Sequence, residues 1–209
     1  MNVIRPVVKQ LTASLLALCA VLTTPQTALS EAVVGEQAPT FTAKDSTGKE
    51  LSLNNFKGKI VVLEWFNQNC PFVKKFYKGG DMQRFQQELG AKGVVWLTVS
   101  SSAPGKSGHL TAEQAETTRA ELGMKSSALV LDESGVIGKA YGARTTPHMF
   151  VISADGKLAY AGAIDSESST DADDIANSKN YVVEAVTNLL VNKPVETRST
   201  EAYGCSVKY

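Results

Sequence analysis

Several residue types are scarce in this 209-residue chain, and the scarcity narrows its function. Cysteine occurs three times, at Cys19, Cys70 and Cys205, and histidine only twice. The sequence therefore contains no cluster of Cys and His ligands of the kind that binds structural zinc, and we expect neither a metal site nor a cofactor. Lys and Arg total 21, as do Asp and Glu. Because no positive excess is present, nucleic acid is not an expected partner.

Long apolar runs are also missing. A membrane-spanning helix needs roughly 20 apolar residues, whereas the apolar stretch near the N-terminus covers only residues 11–22. Basic residues precede this stretch and small residues follow it, which predicts a secretory signal peptide over residues 1–30, cleaved near Ser30. We therefore expect export, to a bacterial periplasm. Lipid attachment at Cys19 is a competing interpretation that the bulky preceding residue disfavours.

Removal of this leader would leave one domain and two thiols. The predicted mature chain has 209 − 30 = 179 residues, a length that suits a single domain with a good core. We place this domain at residues 31–191 and a C-terminal tail at 192–209. Cys70 in the domain and Cys205 in the tail can form one bridge in an oxidising compartment, either as a structural link or as a reactive pair.

The apolar pattern predicts an α/β fold. Residues 60–66 form a near-continuous β-branched and aromatic run, which is typical of a strand buried on both faces. Turn residues indicate two hairpins, at Ser46-Thr47-Gly48 and at Ala154-Asp155-Gly156. The acidic segment 165–174 is expected to be a solvated loop. Further strands are expected at 93–99, 129–131, 148–153 and 157–162. One helix is expected over residues 71–90 with a break at Gly79-Gly80, a second begins at Thr111, and a third covers residues 181–191.

Cys70 lies where the first buried strand passes into a helix. Pro71 suits the first helical position, which makes Cys70 the residue at the helix start. Unpaired amides and the positive end of the helix dipole favour a thiolate there. Lys74 and Lys75 follow in the first turns and add positive charge. We therefore expect a lowered Cys70 pKa.

Three segments together resemble the thioredoxin-like superfamily, in particular its redoxin branch of AhpC/TSA-like, peroxiredoxin-related proteins. They are the Trp65-Phe66-x-x-x-Cys70-Pro71 segment, Thr146-Pro147 before a strand, and the Asp-Gly hairpin after that strand. The resemblance extends over about residues 35–190. It implies a three-layer α/β/α sandwich with a central mixed β-sheet, an N-terminal β-hairpin and a C-terminal tail.

The same resemblance implies roles for residues near Cys70. Pro147 is expected to form a cis peptide bond and to lie against Cys70, with the Thr146 backbone receiving an extended substrate segment. Trp65 and Pro71, which flank the cysteine segment, are expected to contact substrate.

Glu64 stands six residues before Cys70, where thioredoxins carry a buried carboxylate that moves protons. A position on a wet face or a pairing with lysine remains open for Glu64. His148 is interpreted as structural and His109 as a surface residue.

One departure from the family pattern concerns the second cysteine. Val73 stands where dithiol oxidoreductases have it, so a mixed disulfide at Cys70 needs another thiol for its resolution. The fourteen residues from Val191 to Cys205 can span roughly 45 Å, well beyond the domain's radius of gyration of about 16 Å. Cys205 is therefore the candidate resolving thiol within the chain. A structural link, pairing with another chain and a free thiol remain open for it.

Three functions are compatible with this pattern. The first is an exported thiol-disulfide oxidoreductase that acts on protein or small-molecule disulfides and uses an external thiol reductant. The second is a thiol peroxidase that reduces hydroperoxides, although Leu63 and Asn67 replace the proline and the threonine or serine of the peroxide pocket. The third is a binding module in which Cys70 and Cys205 form a permanent disulfide. The sequence leaves the oligomeric state undetermined.

Overall fold

The computed structural model describes Met1, Asn2 and residues 32–209. The predicted signal peptide and its cleavage site thus lie almost entirely outside the described residues. Within the described part, no helix has both the length and the apolar character that crossing a membrane requires.

A five-stranded mixed sheet forms the centre of the fold, in the order β5-β4-β3-β7-β8. Strands β3, β4 and β5 run parallel, whereas β7 pairs antiparallel with both β3 and β8. A separate hairpin, β1-β2, confirms the turn predicted at Ser46-Thr47-Gly48. The strands are β1 Thr42–Lys44, β2 Glu50–Ser52, β3 Val61–Trp65, β4 Val95–Ser100, β5 Ala128–Leu131, β6 Thr145–Thr146, β7 His148–Ile152, β8 Leu158–Gly162 and β9 Cys205–Ser206.

Within residues 32–209, five α-helices surround the sheet. The helix predicted over residues 71–90 is divided as expected, because Gly80 adopts a left-handed conformation with φ of 86° that glycine tolerates without steric cost. The sequence pattern missed α4, which is only six residues long and contains Gly138. The helices are α1 Pro71–Lys78, α2 Asp81–Gly90, α3 Ala112–Glu121, α4 Val136–Tyr141 and α5 Tyr181–Leu190.

The sheet is covered on both faces, which confirms the three-layer arrangement. Helices α1, α2, α3 and α5 contribute to the apolar cluster on one face, and α4 with the β1-β2 hairpin and its flanks contributes to the cluster on the other. Val73 and Phe76 of α1 are fully enclosed in the first cluster. Because burying one such side chain contributes about 1.5–3 kcal/mol, these two residues fix the start of α1 against the sheet.

Most of the acidic segment 165–174 is exposed, as its composition predicts, but Asp165 at its start is an exception. Asp165 is only 2% exposed, and its carboxylate pairs with the Lys75 ammonium of α1 at 3.5 Å. Ser178 donates a further hydrogen bond to it. The expectation failed here because this pairing joins residues ninety positions apart, which local composition does not report.

The C-terminal tail is packed against the domain. Strand β9 pairs with β6, and the amide of Val207 donates to the carbonyl of Arg144 at 2.9 Å. At the end of the chain, the Tyr209 hydroxyl donates to the carbonyl of Ala143 at 2.7 Å. The tail thus crosses the end of the sheet at which β3 passes into α1.

Asp132 holds α4 in place, and we expect its removal to destabilise the protein. Its buried carboxylate accepts hydrogen bonds from the amides of Ile137 and Gly138 and from the Ser101 hydroxyl. Asp132→Ala leaves these donors unsatisfied, so we expect the free energy of unfolding to fall by about 3 kcal/mol. Urea denaturation followed by circular dichroism measures the change. The exposed neighbour Glu133→Ala is the control, and an equal loss in both variants would contradict this role.

Candidate active site

The turn between β3 and α1 presents Cys70 as the residue that caps the helix. The Asn67 side-chain oxygen accepts from the Asn69 amide at 2.8 Å, and the Cys70 amide donates to the Asn67 carbonyl at 3.0 Å. Pro71 then occupies the first helical position and is exposed. The Asn67 side chain also donates to the Ser107 carbonyl, which attaches the loop after β4 to this turn. Cys70 itself is only 2% exposed.

The Thr146-Pro147 segment lies directly against the Cys70 sulfur. Its peptide bond is cis, as the family resemblance implied. The Cys70 thiol donates to the Thr146 carbonyl oxygen at 3.0 Å. The segment thus borders the same sulfur that the helix start presents.

Cys205 is brought to Cys70 by strand pairing. In the antiparallel pair of β6 and β9, Cys205 stands opposite Thr146, whose carbonyl oxygen contacts the Cys70 sulfur, and the Cys205 thiol is close enough to lower the pKa of Cys70. Both cysteines are free thiols. Gly204 makes this approach possible, because a Cβ at its position, with φ of 131°, would collide with the Thr146 carbonyl oxygen.

The two thiols have pKa values shifted in opposite directions. Burial alone raises the pKa of Cys70, but hydrogen bonds from the Cys205 thiol, the Thr146 side chain and the amides of Cys205 and Val73 outweigh it, so the pKa is lowered. Burial and the hydrogen bond to Cys70 raise the pKa of Cys205 to about 11. Cys70 therefore ionises first, with the protonated Cys205 as its donor. The contact of the Cys70 thiol with the Thr146 carbonyl belongs to the protonated form, since a thiolate cannot donate.

The positive charges expected to assist Cys70 do not account for its lowered pKa. Lys75 is buried and directed to Asp165, and Lys74 is exposed. The lowering at Cys70 comes instead from hydrogen-bond donors. The expectation for the two lysines is therefore corrected, because helical geometry turns Lys75 away from the start of the helix.

Glu64 is fully buried and faces the same side of the sheet as Cys70. Burial raises the pKa of this carboxyl to about 6, although its hydrogen-bond donors partly oppose the rise. A wet position and a pairing with lysine, the alternatives left open by the sequence, are thus wrong. The proton-transfer role of Glu64 stays a prediction. The donors to its carboxylate are Tyr77, Gln86, Trp96 and Thr98.

Trp65 and His148 lie on the other face of the sheet. The Trp65 ring is completely buried against Phe150, and its indole N–H donates to Ser101. The expectation that Trp65 contacts substrate does not fit this position, because successive side chains of a strand point to opposite faces and Trp65 follows Glu64. His148 packs against the same Phe150 ring, and burial lowers its pKa to about 4.

Sequence reasoning missed the polar cluster that attaches the tail near Cys205. The Tyr203 hydroxyl donates to the Asp165 carboxylate that pairs with Lys75. The Tyr203 ring packs against Phe72, with ring centroids 5.7 Å apart. The one signal in the sequence is an aromatic residue two positions before Cys205 in a tail with few apolar residues.

In the part of the chain that the structure describes, no group of three or more His, Cys, Asp or Glu side chains is placed to hold a metal ion. The chemistry available at the site is therefore that of a thiolate, a second thiol and a buried carboxyl.

The chain matches a known protein family. A model of the AhpC/TSA family matches residues 34–161. That range includes Cys70 and the Thr146-Pro147 segment but ends before the tail with Cys205. Two curated thiol-disulfide oxidoreductases named ResA, from Bacillus thuringiensis and Bacillus cereus, are each 26% identical over 125 residues. The matched region covers 60% of this chain and 66% of the length of these relatives.

Solved structures share the fold. An uncharacterised conserved protein from Geobacillus kaustophilus matches with a TM-score of 0.72 and 25% identity, over 85% of this chain and 92% of its own. The thioredoxin domain of a thiol-disulfide oxidoreductase from Bacteroides vulgatus matches with a TM-score of 0.51 and 20% identity, over 69% of this chain and 96% of its own. These matches confirm the thioredoxin-like fold expected from the sequence.

Removal of the Cys205 thiol is expected to raise the Cys70 pKa. Cys205→Ala deletes a donor to the thiolate, whereas Cys205→Ser keeps a hydroxyl in its place. The pH midpoint of Cys70 alkylation by iodoacetamide should rise by about one pH unit in Cys205→Ala and by less in Cys205→Ser. Mass spectrometry assigns the alkylated residue. An unchanged midpoint in Cys205→Ala would disprove the donor role of Cys205.

The raised Glu64 pKa gives stability a defined pH dependence. Because the folded pKa of about 6 exceeds the ordinary 4.5, folding favours the protonated carboxyl. Its contribution is complete below about pH 4.5 and is lost as the pH rises through 6. Relative to Glu64→Gln, the wild-type free energy of unfolding should fall by about 2 kcal/mol between pH 4 and 7.5.

Urea denaturation at several pH values measures this difference. The exposed Glu88→Gln on α2 is the matched control and should follow the wild type at every pH. Parallel curves for wild type and Glu64→Gln would show that Glu64 titrates as an ordinary carboxyl.

Proposed function

This chain belongs to the AhpC/TSA family, and we propose that it is a thiol-disulfide oxidoreductase in which Cys70 is the nucleophile and Cys205 the resolving thiol. The observation that carries the proposal is the strand pairing that sets Cys205 opposite Thr146, the residue whose carbonyl oxygen lies 3.0 Å from the Cys70 sulfur. It supplies a second thiol to a site whose helix has Val73 where dithiol enzymes have cysteine. The 26% identity to thiol-disulfide oxidoreductases supports the same reaction class.

The proposed reaction proceeds in two exchanges. The Cys70 thiolate attacks one sulfur of a substrate disulfide, a mixed disulfide forms at Cys70, and the other substrate sulfur leaves as a thiolate that takes up a proton. Cys205, once deprotonated, then attacks the Cys70 sulfur and releases the second substrate thiol. The substrate disulfide has been reduced by two electrons and the cysteine pair oxidised. An external thiol reductant must reduce the pair before the next cycle.

The neighbouring residues have supporting roles in this proposal. Thr146 and Pro147 border the Cys70 sulfur and are proposed to receive an extended substrate, with the exposed Pro71 at the mouth of the site. Glu64 is proposed to exchange protons with the thiols. Its support is complete burial on the Cys70 side of the sheet and a pKa of about 6, which lets it change protonation near neutral pH.

The substrate is proposed to be a disulfide or oxidised thiol of an exported protein or small molecule. Export is supported by the signal-peptide pattern of residues 1–30. In an oxidising compartment disulfides are the common form of paired cysteines, so they are available to the Cys70 thiolate.

The two alternatives have less support. A peroxidase needs donors that activate a peroxide beside Cys70, but the Asn67 side chain is engaged with Ser107 and Asn69, and Leu63 is apolar. A binding module with a permanent disulfide has less support, because the opposite pKa shifts of Cys70 and Cys205 are those of an attacking and a waiting thiol.

Thiol trapping after one turnover tests the proposal. The reduced protein is mixed with one equivalent of a small disulfide, quenched with an alkylating agent and analysed by mass spectrometry. We expect a Cys70–Cys205 disulfide in the wild type, a persistent mixed disulfide on Cys70 in Cys205→Ser, and no product in Cys70→Ser.

A parallel reaction with hydrogen peroxide separates the alternatives. Slow oxidation by peroxide beside fast disulfide exchange supports the oxidoreductase. Rapid peroxide oxidation with negligible exchange would favour the peroxidase, and a Cys70–Cys205 disulfide that resists thiol reductants would favour the binding module.

A further inference from the structure

The tail residues around Cys205 occupy the position at which an extended substrate would pair with β6. Thr146 stands opposite Cys205, and Thr145 stands opposite Ser206. Gly204 lies so close to the Thr146 carbonyl that a side chain at this position would collide with it. A single strand edge pairs with only one extended segment on this side at a time. The docked tail and an incoming polypeptide therefore exclude each other.

The docked tail also encloses the reacting sulfur. Cys70 is only 2% exposed while Cys205 lies against it. A disulfide substrate large enough to need an extended binding site cannot approach the sulfur in this arrangement. Movement of the tail away from β6 is thus a requirement for attack on such a substrate.

Tyr203 fastens the tail at the entrance to this strand. Its hydroxyl donates to the carboxylate of Asp165 and its ring packs on Phe72. Asp165 is held rigidly, because it pairs with the buried Lys75 ammonium at 3.5 Å and accepts from the Ser178 hydroxyl at 3.1 Å. Lys75 also donates to the Glu167 carbonyl at 3.0 Å. The acceptor for Tyr203 is therefore fixed to α1, the helix that directly follows Cys70.

An open groove borders the docked tail. It has a volume of about 570 Å³ and lies beside the β6-β9 pair, with Thr145 and Gly204 among its lining residues together with Asp165, Tyr181 and Tyr203. The groove therefore offers a space beside β6 for a segment displaced from that strand.

We propose that residues 203–206 and an extended polypeptide disulfide compete for the edge of β6, and that Tyr203 is the positioning residue that decides this competition. This inference rests on the proposed thiol-disulfide exchange. With the tail released, Cys70 attacks a polypeptide disulfide bound along β6. With the tail docked, Cys205 is held against Cys70 and displaces the polypeptide thiol.

Because of this competition, loosening the tail changes the rates of the two reaction steps in opposite directions. In the reduced protein the tail is docked, so loosening it increases the open fraction and accelerates the first attack. In the mixed disulfide the bound polypeptide occupies β6, so docking of Cys205 is the less populated arrangement and loosening the tail slows resolution. A residue with a merely structural role would not accelerate one step while slowing the next.

Stopped-flow kinetics with one defined substrate measures both steps. The substrate is an extended peptide whose single cysteine carries a thionitrobenzoate group in disulfide linkage. Attack by Cys70 on the peptide sulfur forms the protein–peptide disulfide and releases coloured thionitrobenzoate. Attack by Cys205 on Cys70 then releases the peptide thiol, which is quantified by quenching and mass spectrometry.

Tyr203→Phe removes the hydroxyl and keeps the ring on Phe72. Loss of a hydrogen bond to a charged group corresponds to about a tenfold change in the docking equilibrium, so thionitrobenzoate release should become about tenfold faster and peptide release about tenfold slower. Gly204→Ala should move both rates in the same directions through the collision with Thr146. Tyr181→Phe, which removes a hydroxyl from the same groove but leaves the bond to Asp165, is the matched control.

Three outcomes would overturn the inference. The first is that both rates move together or stay unchanged in Tyr203→Phe, and the second is that Tyr181→Phe reproduces its effect. With normal exchange in the wild type, these results reject only the competition at β6. The third is that neither the wild type nor any variant releases thionitrobenzoate. This result would overturn the proposed function and this inference with it.

Discussion

The approach of the Cys205 thiol to the Cys70 sulfur is the contact on which the site depends. It forms only because β9 pairs with β6 in the one register that sets Cys205 opposite Thr146. It lowers the pKa of one sulfur and raises that of the other, which separates an attacking thiol from a waiting thiol. Burial by itself raises the pKa of both sulfurs, so the lowered pKa of Cys70 comes from its hydrogen-bond donors, with Cys205 among them.

The second thiol of this site lies in the C-terminal tail and not in the helix that follows Cys70. Two cysteines within one helical turn stay close whatever the rest of the chain does, whereas Cys205 approaches Cys70 only while residues 203–206 are docked. In the proposed reaction, the partner of the nucleophile is therefore also a competitor for its substrate. The ion pair of Lys75 and Asp165 acquires a function through this arrangement, because it fixes the acceptor that holds Tyr203.

The two faces of the sheet have different environments. On the face of the sheet that carries Cys70, the buried carboxyl of Glu64 accepts hydrogen bonds from several side chains. On the other face, the Trp65 ring is buried. Neighbouring residues of one strand thus serve a polar site and an apolar core. The match to the AhpC/TSA family covers residues 34–161, a range that contains Cys70 and the Thr146-Pro147 segment but neither α5 nor the tail.

Local sequence determined the elements that depend on near neighbours. The apolar run of β3, the proline at the start of α1 and the Asp-Gly turn specify strand, helix and hairpin because their physical causes lie within a few residues. Strand alternation also determined that Glu64 and Trp65 face opposite sides, but not which side holds Cys70. The docking of Cys205 and the burial of Asp165 were decided only by the tertiary structure, since both join segments far apart in the chain and depend on packing that no local pattern records.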